Sequence, residues 1–486
     1  MAEGFHPTQG SFAPPSLWEA FSWVLWLTLF LIAVPAILFF LPGLVVLSLI
    51  VILVSFWMMH RLVGLFNLRQ ITAPAFFFYL YFVAILVPGF FIFADEVTPS
   101  RVRFLFGIES VLISVPAGIA IANLFLGFGR GSIARYFRRP VEEETLGSAD
   151  VGVFVLVFVL AVVFVLINIL QTPVIPLFYL IRNPGEAIAA AMLREDSFKL
   201  LNSHLTYIYA VIRGVILPFL ILVAYGRHRL QPERRWRWLF WASLACGIFY
   251  AALTIEKSPV ATVFGLLILF YYLFCGGRVG RWASIGAPVL FLCFPLAVVL
   301  LAYHGSEGGT LWGAIQAIGV RLFYSPAQIV YAYFEVFPAV IPFQHGASIA
   351  KIATLFGWKI IDIPNAVGLY MKVGADLDTI TANSCFIGNL NADFGLPGVV
   401  IGGVVAGFAM QAVSMYVCRR PKTTVNLAAH AICIWAFGML VTTALPTVLL
   451  SGGVTFALIL AWIFDSSRKR RQAPNGSQLI LADGLS

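Results

Sequence analysis

The segment VGVFVLVFVLAVVFVLINIL, residues 151–170, decides the class of fold. It contains 20 residues and no charged side chain, and a helix of that length crosses a bilayer core of about 30 Å. Inside a bilayer the backbone must satisfy its own hydrogen bonds, so a span is either a helix or a strand of a closed barrel. The segment lacks the two-residue alternation of barrel strands. It is therefore predicted to be a transmembrane helix.

Similar apolar runs recur along the 486 residues, of which 60% are hydrophobic and 11% charged. This composition excludes a soluble enzyme. It predicts an all-α polytopic membrane protein with about 12 transmembrane helices. The predicted spans cover residues 21–40, 44–59, 73–93, 104–128, 151–170, 205–224, 238–253, 260–274, 282–303, 394–416, 427–445 and 454–463.

The distribution of basic residues predicts how these spans are oriented. When alternate loops are assigned to two sides, 20 of the 31 Lys and Arg residues lie on one side and 10 on the other, and Arg213 lies in a span. The richer side is predicted to be cytoplasmic. The net charge of +9 then reflects membrane insertion, and no nucleic-acid partner is expected. Both termini are predicted to be cytoplasmic, in the inner membrane of a bacterium.

The chain is thus divided into seven parts, two of them large periplasmic loops. Residues 186–201 of the first loop, and 327–343 and 360–370 of the second, have the spacing of short amphipathic helices. The second loop is rich in charge and lies against the membrane, which makes it the first candidate for the working site. The predicted parts are an N-terminal tail (1–20), five spans (21–170), a first periplasmic loop (171–204), four spans (205–303), a main periplasmic loop (304–391), three spans (392–465) and a basic tail (466–486).

Several cations map to the predicted periplasmic face, where they could bind an anionic substrate. Arginine offers a planar fork that binds phosphate or carboxylate through two hydrogen bonds. Arg213 lies inside a span, where a charge is costly and faces a cavity or a partner. Its alternatives are anion binding, snorkelling to the interface, or pairing with Glu256 or Glu335. The candidate substrate-binding residues are Arg182, Arg194, Arg213, Lys257 and Arg321.

Two residues of the main loop are candidates for proton chemistry, and Arg321 is included with them as a catalytic candidate. His345 is either a proton acceptor or hydrogen-bond donor to an anionic substrate, or a structural histidine. Glu335 is either a general base or the ion partner of an arginine.

Other motifs give weaker indications. Asp376 and Asp378 form a DxD pattern, but on the predicted outer side, where nucleotide sugars are absent. The pattern is therefore only a weak indication of a metal site, and the sequence has no heme or dinucleotide motif that would predict a cofactor. Two pairs with small-xxx-small spacing, Gly398 with Gly402 and Gly403 with Gly407, predict close helix packing.

Five stretches together resemble the Wzy-type O-antigen and capsule polymerases, which join oligosaccharide repeat units. The longest, FIGNLNADFGLPG at residues 386–398, leads into the tenth span. The resemblance covers roughly residues 182–407. The stretches are residues 193–198, 256–259, 321–323, 333–338 together with His345 and Gly346, and 386–398.

The resemblance implies a GT-C-like fold and an inverting, metal-independent glycosyltransferase. The donor would be a growing glycan on undecaprenyl pyrophosphate, and the acceptor a repeat unit on a second such lipid. Arg194, Arg213 and Arg321 would bind the pyrophosphates, and His345 or Glu335 would orient or deprotonate the acceptor hydroxyl. The lipid bilayer and a chain-length-regulating co-polymerase are the partners that the family implies.

Two other functions stay open on the sequence. An O-antigen ligase has a similar layout but transfers glycan to lipid A core. A transporter or flippase of lipid-linked oligosaccharides would place ionisable groups near the middle of several spans.

Overall fold

The computed structural model describes residues 42–95, 97–127, 129–142, 148–183, 193, 203–278, 310–347, 349, 356–357, 361–372 and 381–472. Within these ranges every regular element is a helix. Eight of the described helices are long and apolar enough to cross a membrane, and Ser258–Phe274 is a shorter apolar helix. The chain is therefore an all-helical, polytopic membrane protein.

The helices are α1 (Pro42–Val63), α2 (Ala73–Tyr81), α3 (Val87–Asp95), α4 (Pro99–Leu126), α5 (Arg130–Arg138), α6 (Ser148–Gln171), α7 (Pro176–Arg182), α8 (Ser203–Val211), α9 (Leu217–Leu230), α10 (Arg234–Ala252), α11 (Lys257–Phe274), α12 (Leu311–Gly319), α13 (Ser325–Val336), α14 (Ile363–Met371), α15 (Phe386–Arg419), α16 (Thr424–Gly438), α17 (Leu445–Leu449) and α18 (Val454–Gln472). A short 3-10 turn, Met439–Val441, follows α16. Three π-helical turns join consecutive helices: Phe82–Leu86, Ile212–Ile216 and Val320–Tyr324.

Ten of the predicted spans fall on described helices, and eight of these match the membrane-length helices. The other two, 238–253 and 260–274, fall on α10 and on the shorter apolar helix α11. The predicted spans 21–40 and 282–303, the predicted amphipathic helix 186–201 and both terminal tails lie wholly or mostly outside the described residues. The span predicted at 394–416 matches the part of α15 that follows a kink at Gly395, whereas the helical residues before the kink, from Phe386, lie in the segment predicted as loop. Polar residues such as Asn391 and Asp393 had indicated a loop there, but they are buried inside the helix.

The contact between α4 and α15 forms the centre of the bundle. Gly403 and Gly407 lie against Ser114 and Val115 of α4, with no room for a Cβ atom at either glycine. This confirms the close packing predicted for that pair. The other pair differs, since Gly402 faces Leu390 of its own helix.

Helices differ greatly in how much of their surface faces lipid. In α16, 89% of the membrane-length window is buried, whereas in α6 only 17% is. Helix α16 is therefore central and α6 peripheral.

One end of the bundle is defined by contacts between loops, and we call it the basic end (residues 64–72, 129–142, 274–278 and 419–424). Here the Tyr272 hydroxyl donates to the Leu68 carbonyl at 2.7 Å, and Lys422 Nζ donates to the Arg139 carbonyl at 3.0 Å. Arg419, at the C-terminus of α15, donates to the carbonyl of Leu126, the last residue of α4. The first residues of α4 and α15 therefore lie at the opposite end.

Candidate functional site

Part of the main loop folds over the first turns of α4 and α15 as a cap (residues 325–347, 361–372 and 381–385). The Tyr333 hydroxyl donates to the Ala382 carbonyl at 2.8 Å. Burial raises the pKa of Tyr333 well above its usual range, so this hydroxyl remains a donor. The cap has its own small apolar core of Ala332, Tyr333, Val336, Phe337, Ile363, Val367, Ala382 and Ala392.

The cap is joined to α15 at a junction centred on Asp393, which is 2% exposed. The backbone N–H of His345 donates to the Asp393 carbonyl at 2.9 Å. The N–H of Gly346 donates to the Asp393 side chain, at 3.1 Å from Oδ1. Asn391, two residues earlier, donates to the Tyr333 carbonyl at 3.4 Å. Buried polar groups of α15 therefore determine where the cap lies.

Three residues at this junction have left-handed backbone angles. His345 has a φ of +50°, Gly346 of +98° and Gly395 of +68°. Gly395 interrupts the helical geometry of α15, and a Cβ atom there would lie 3.1 Å from Cζ of Phe343. Glycine is therefore required at this kink. The imidazole of His345 is exposed.

Glu335 lies on α13, one turn after Tyr331 and near two arginines at the start of α4. The Tyr331 hydroxyl donates to Glu335 Oε1 at 3.1 Å. The guanidinium of Arg101 stacks on the Tyr331 ring, with Cζ 5.6 Å from the ring centroid, and Arg103 donates to the Phe334 carbonyl at 3.4 Å. Glu335 is half-buried, and among the described residues it forms no ion pair with an arginine.

Arg321 lies in the π-helical turn before α13 and is exposed. Its neighbours Leu322 and Phe323 are 46% and 49% exposed. Their turn packs against the π-helical turn Phe82–Leu86. Arg321 is thus a cation on an apolar surface near the cap.

Arg213 lies in the π-helical turn between α8 and α9, and it is paired. Its Nη1 atom is 3.1 Å from Oε2 of Glu256 and donates to Thr254 Oγ1 at 3.1 Å. Both contacts use Nη1. Within the described part of the chain, Nη2 and Nε of Arg213 have no hydrogen-bond partner. The ion pair therefore orients the guanidinium and leaves donors for a ligand.

Arg213 lies at the same end as the cap but deeper in the bundle. Gly226 packs against Thr424 at the basic end, where an added Cβ would be 3.0 Å from Thr424 Cγ2. From Gly226 to Arg213 a helix rises ~20 Å, whereas from Leu126 to Arg103 it rises ~35 Å. The bundle is therefore stepped, with the Arg213–Glu256 pair below the level of the cap.

The other predicted binding residues are only partly described. Arg182 is exposed in the last turn of α7, and the N–H of Leu177 in that helix donates to the Leu253 carbonyl at 3.2 Å, near the Arg213 pair. Lys257 begins α11 next to Glu256, and its side chain lies outside the described residues. Arg194, Asp376 and Asp378 also lie outside them.

The sequence interpretation missed four residues. Arg101 and Arg103 share the capped end with Glu335, and their position at the start of a span was the available signal. Asp393 was read only as part of a motif. Glu109 is 5% exposed inside α4 and accepts a hydrogen bond from Ser48, and a charged residue type in a span was its signal.

The predicted residues thus form two groups at one end of the bundle: Glu335, His345 and Arg321 with the cap, and Arg213, Lys257 and Arg182 around the ion pair. The oriented guanidinium of Arg213 can bind a phosphate group, and the half-buried carboxylate of Glu335 can accept a proton. Comparisons with protein-family models, with curated proteins and with solved structures gave no match for this chain.

Proposed function

We propose that the capped end polymerises undecaprenyl-pyrophosphate-linked oligosaccharide repeat units into a surface polysaccharide. One observation carries the proposal. The stretch 386–398 and the stretch 333–338 with His345 and Gly346 both resemble the polymerases, and they meet at the Asp393 junction. If these stretches form one site, they are expected to lie together in the fold although they are distant in sequence.

Binding of the leaving group is assigned to the deeper group of residues. Arg213 is held by Glu256 and keeps Nη2 and Nε for phosphate oxygens, within the part of the chain that is described. A diphosphate bound there would have its lipid tail in the bilayer and its glycan towards the cap, since the pair lies below the cap. The cations would stabilise the charge that develops on the departing diphosphate.

The transfer breaks one bond and forms one. The oxygen of the acceptor's terminal hydroxyl attacks the anomeric carbon of the donor glycan, and the bond from that carbon to the diphosphate oxygen breaks. The anomeric configuration inverts, and the electron pair leaves on undecaprenyl pyrophosphate. The hydroxyl proton passes to a side chain of the protein.

Glu335 is the better placed of the two candidate bases. Its carboxylate is half-buried and oriented by the Tyr331 hydroxyl, whereas the His345 imidazole is exposed. The basic residues at the opposite end of the bundle support a periplasmic location for this end. A general base oriented in this way contributes about 10²–10⁴-fold to the rate.

The test uses purified protein in nanodiscs with defined lipid-linked repeat units as the only sugar source. A polymerase extends them into a ladder, and it does so equally with and without EDTA. A ligase forms product only when lipid A core is added. Movement of labelled lipid between leaflets with no new glycosidic bond would replace the proposal with transport.

A further inference from the structure

A cavity at the basic end, opposite the cap, is lined by basic residues that have no role in the proposed function. Its volume is about 520 Å³, within the range of small-molecule sites. Five of its lining residues are basic, and no Asp or Glu is among the described residues that line it. The basic residues are Arg69, Arg138, Arg139, Arg278 and Lys422.

The walls of the cavity are built by close backbone contacts. Gly276 and Gly277 have left-handed φ angles of +62° and +77°. A Cβ atom at Gly276 would lie 2.7 Å from the Phe137 carbonyl oxygen, and one at Gly277 would collide with the Arg69 carbonyl. On another side, the Tyr272 hydroxyl accepts a hydrogen bond from the Ile71 N–H at 3.0 Å. Three segments distant in sequence are thus fixed around the cavity.

Lys422 contributes a buried cation to this wall. The residue is 1% exposed, its Nζ donates to the Arg139 carbonyl, and it lies 5.6 Å from the centroid of the Tyr136 ring. Among the described residues this ammonium has no carboxylate partner, and burying an ammonium without one is costly. Burial accordingly lowers its pKa to about 8. A bound anion would offset this cost.

Membrane topology alone does not account for this arrangement. The positive-inside rule requires basic residues near the ends of spans, and cations in solvent satisfy it. Arg135 is exposed, contacts Ser132 at 3.3 Å and does not line the cavity. Arg138, Arg139 and Arg278 are exposed too, but they line the cavity together with the half-buried Arg69 and the buried Lys422. Convergence of five cations from four segments on one half-open cavity, with one of the cations buried, indicates a ligand.

We propose that this cavity binds a phosphate or diphosphate group at the end of the bundle opposite the cap. Several guanidinium forks and one ammonium suit the clustered oxygens of such a group. The group comes either from a lipid headgroup in the adjacent leaflet or from a soluble phosphate compound. The site is independent of the proposed polymerase activity.

Cys275 lines the cavity and is half-buried, so its alkylation rate reports on occupancy. The protein is placed in nanodiscs of phosphatidylcholine, with or without phosphatidic acid, and treated with N-ethylmaleimide. Modification of Cys275 is followed by peptide mass spectrometry. Pyrophosphate is titrated into the phosphatidylcholine sample at constant ionic strength, because salt screens surface charge.

Saturable protection by pyrophosphate supports a soluble source, and by mass action the rate falls about tenfold at ten times the midpoint concentration. Protection only in discs with phosphatidic acid supports a lipid headgroup.

Either protection should weaken in Arg278→Ala and Lys422→Met and persist in Arg135→Ala. No protection from either compound, or equal loss in Arg135→Ala, would overturn the proposal. Each variant is compared with its own rate without phosphate, and gel filtration verifies its folding.

Discussion

The side chain of Asp393, buried in α15, accepts a hydrogen bond from the backbone N–H of Gly346 at 3.1 Å. The two residues lie 47 positions apart in sequence, and their contact attaches the cap to the bundle. The left-handed backbone at Gly346 turns its N–H towards the carboxylate. This contact adds to those of Asn391 and His345 in fixing the cap over α15.

Replacing Asp393 with Ala should destabilise the cap by about 1–3 kcal/mol, because the buried Gly346 N–H loses its acceptor. Asp393→Asn keeps an oxygen at the same position and should cost clearly less. Thermal unfolding in detergent, together with limited proteolysis between residues 310 and 385, measures the effect. Equal losses in the two variants would show that the hydrogen bond does not hold the cap.

Arg213→Ala should reduce polymer formation by about 10²–10³-fold, the usual loss when a group that stabilises developing charge is removed. Stability should also fall, because Glu256, which is only 28% exposed, would keep an unpaired charge, so polymer is compared per amount of folded protein. The glycan ladder and the amount of single repeat unit are measured in the same nanodiscs. Glu256→Gln is the matched variant: it keeps the guanidinium and weakens the pair that orients it, so a smaller loss of polymer is expected than in Arg213→Ala. A normal ladder from folded Arg213→Ala protein would remove Arg213 from the mechanism.

Glu335→Gln should slow transfer by about 10²–10⁴-fold, as expected for loss of a general base. Tyr331→Phe removes only the hydrogen bond that orients the carboxylate, so a smaller effect is expected. The turnover rate with saturating acceptor is the measurement. If His345→Asn reproduces the full loss while Glu335→Gln does not, His345 is the base.

His345 has a φ of +50°, and this makes two substitutions informative about stability. Asparagine tolerates the left-handed region and alanine does not. His345→Ala should therefore lower stability by about 1–2 kcal/mol, whereas His345→Asn should be close to neutral. Chemical denaturation or thermal unfolding distinguishes them. Identical midpoints would show that the backbone at this position is not left-handed.

The sequence predicted the elements better than it predicted the site. Hydropathy located the described spans because a span of about 20 apolar residues leaves little ambiguity. It failed at residues 386–393, since polar side chains such as Asn391 and Asp393 were taken as signs of a loop. They can be buried because the cap supplies their hydrogen-bond partners. A local sequence pattern contains no information about those partners.

The roles of the candidate binding residues depend even more on tertiary contacts and were harder to predict. Arg213 was singled out correctly as a charge in a span, and Glu256 was one of its two weighed ion partners; the structure provides the choice. Arg101 was overlooked because its relation to Glu335 passes through the ring of Tyr331. The basic residues of the cavity were interpreted only as evidence of membrane orientation, since the five come from segments that are far apart in sequence.

Lys422 predicts how stability depends on pH. Burial lowers its pKa from 10.5 to about 8, and the thiols of Cys275 and Cys418 offset part of that effect. Between about pH 8 and 10.5 the unfolded chain binds more protons than the folded protein, so the free energy of unfolding should increase with pH across this range. The neighbouring arginines remain charged throughout.

Unfolding midpoints measured from pH 7.5 to 9.5 should rise in the wild type relative to Lys422→Met. Bound pyrophosphate would favour the charged ammonium and flatten this rise, with proton uptake detectable by calorimetry in buffers of different ionisation enthalpy. A wild-type profile parallel to that of Lys422→Met would show that this lysine keeps an ordinary pKa.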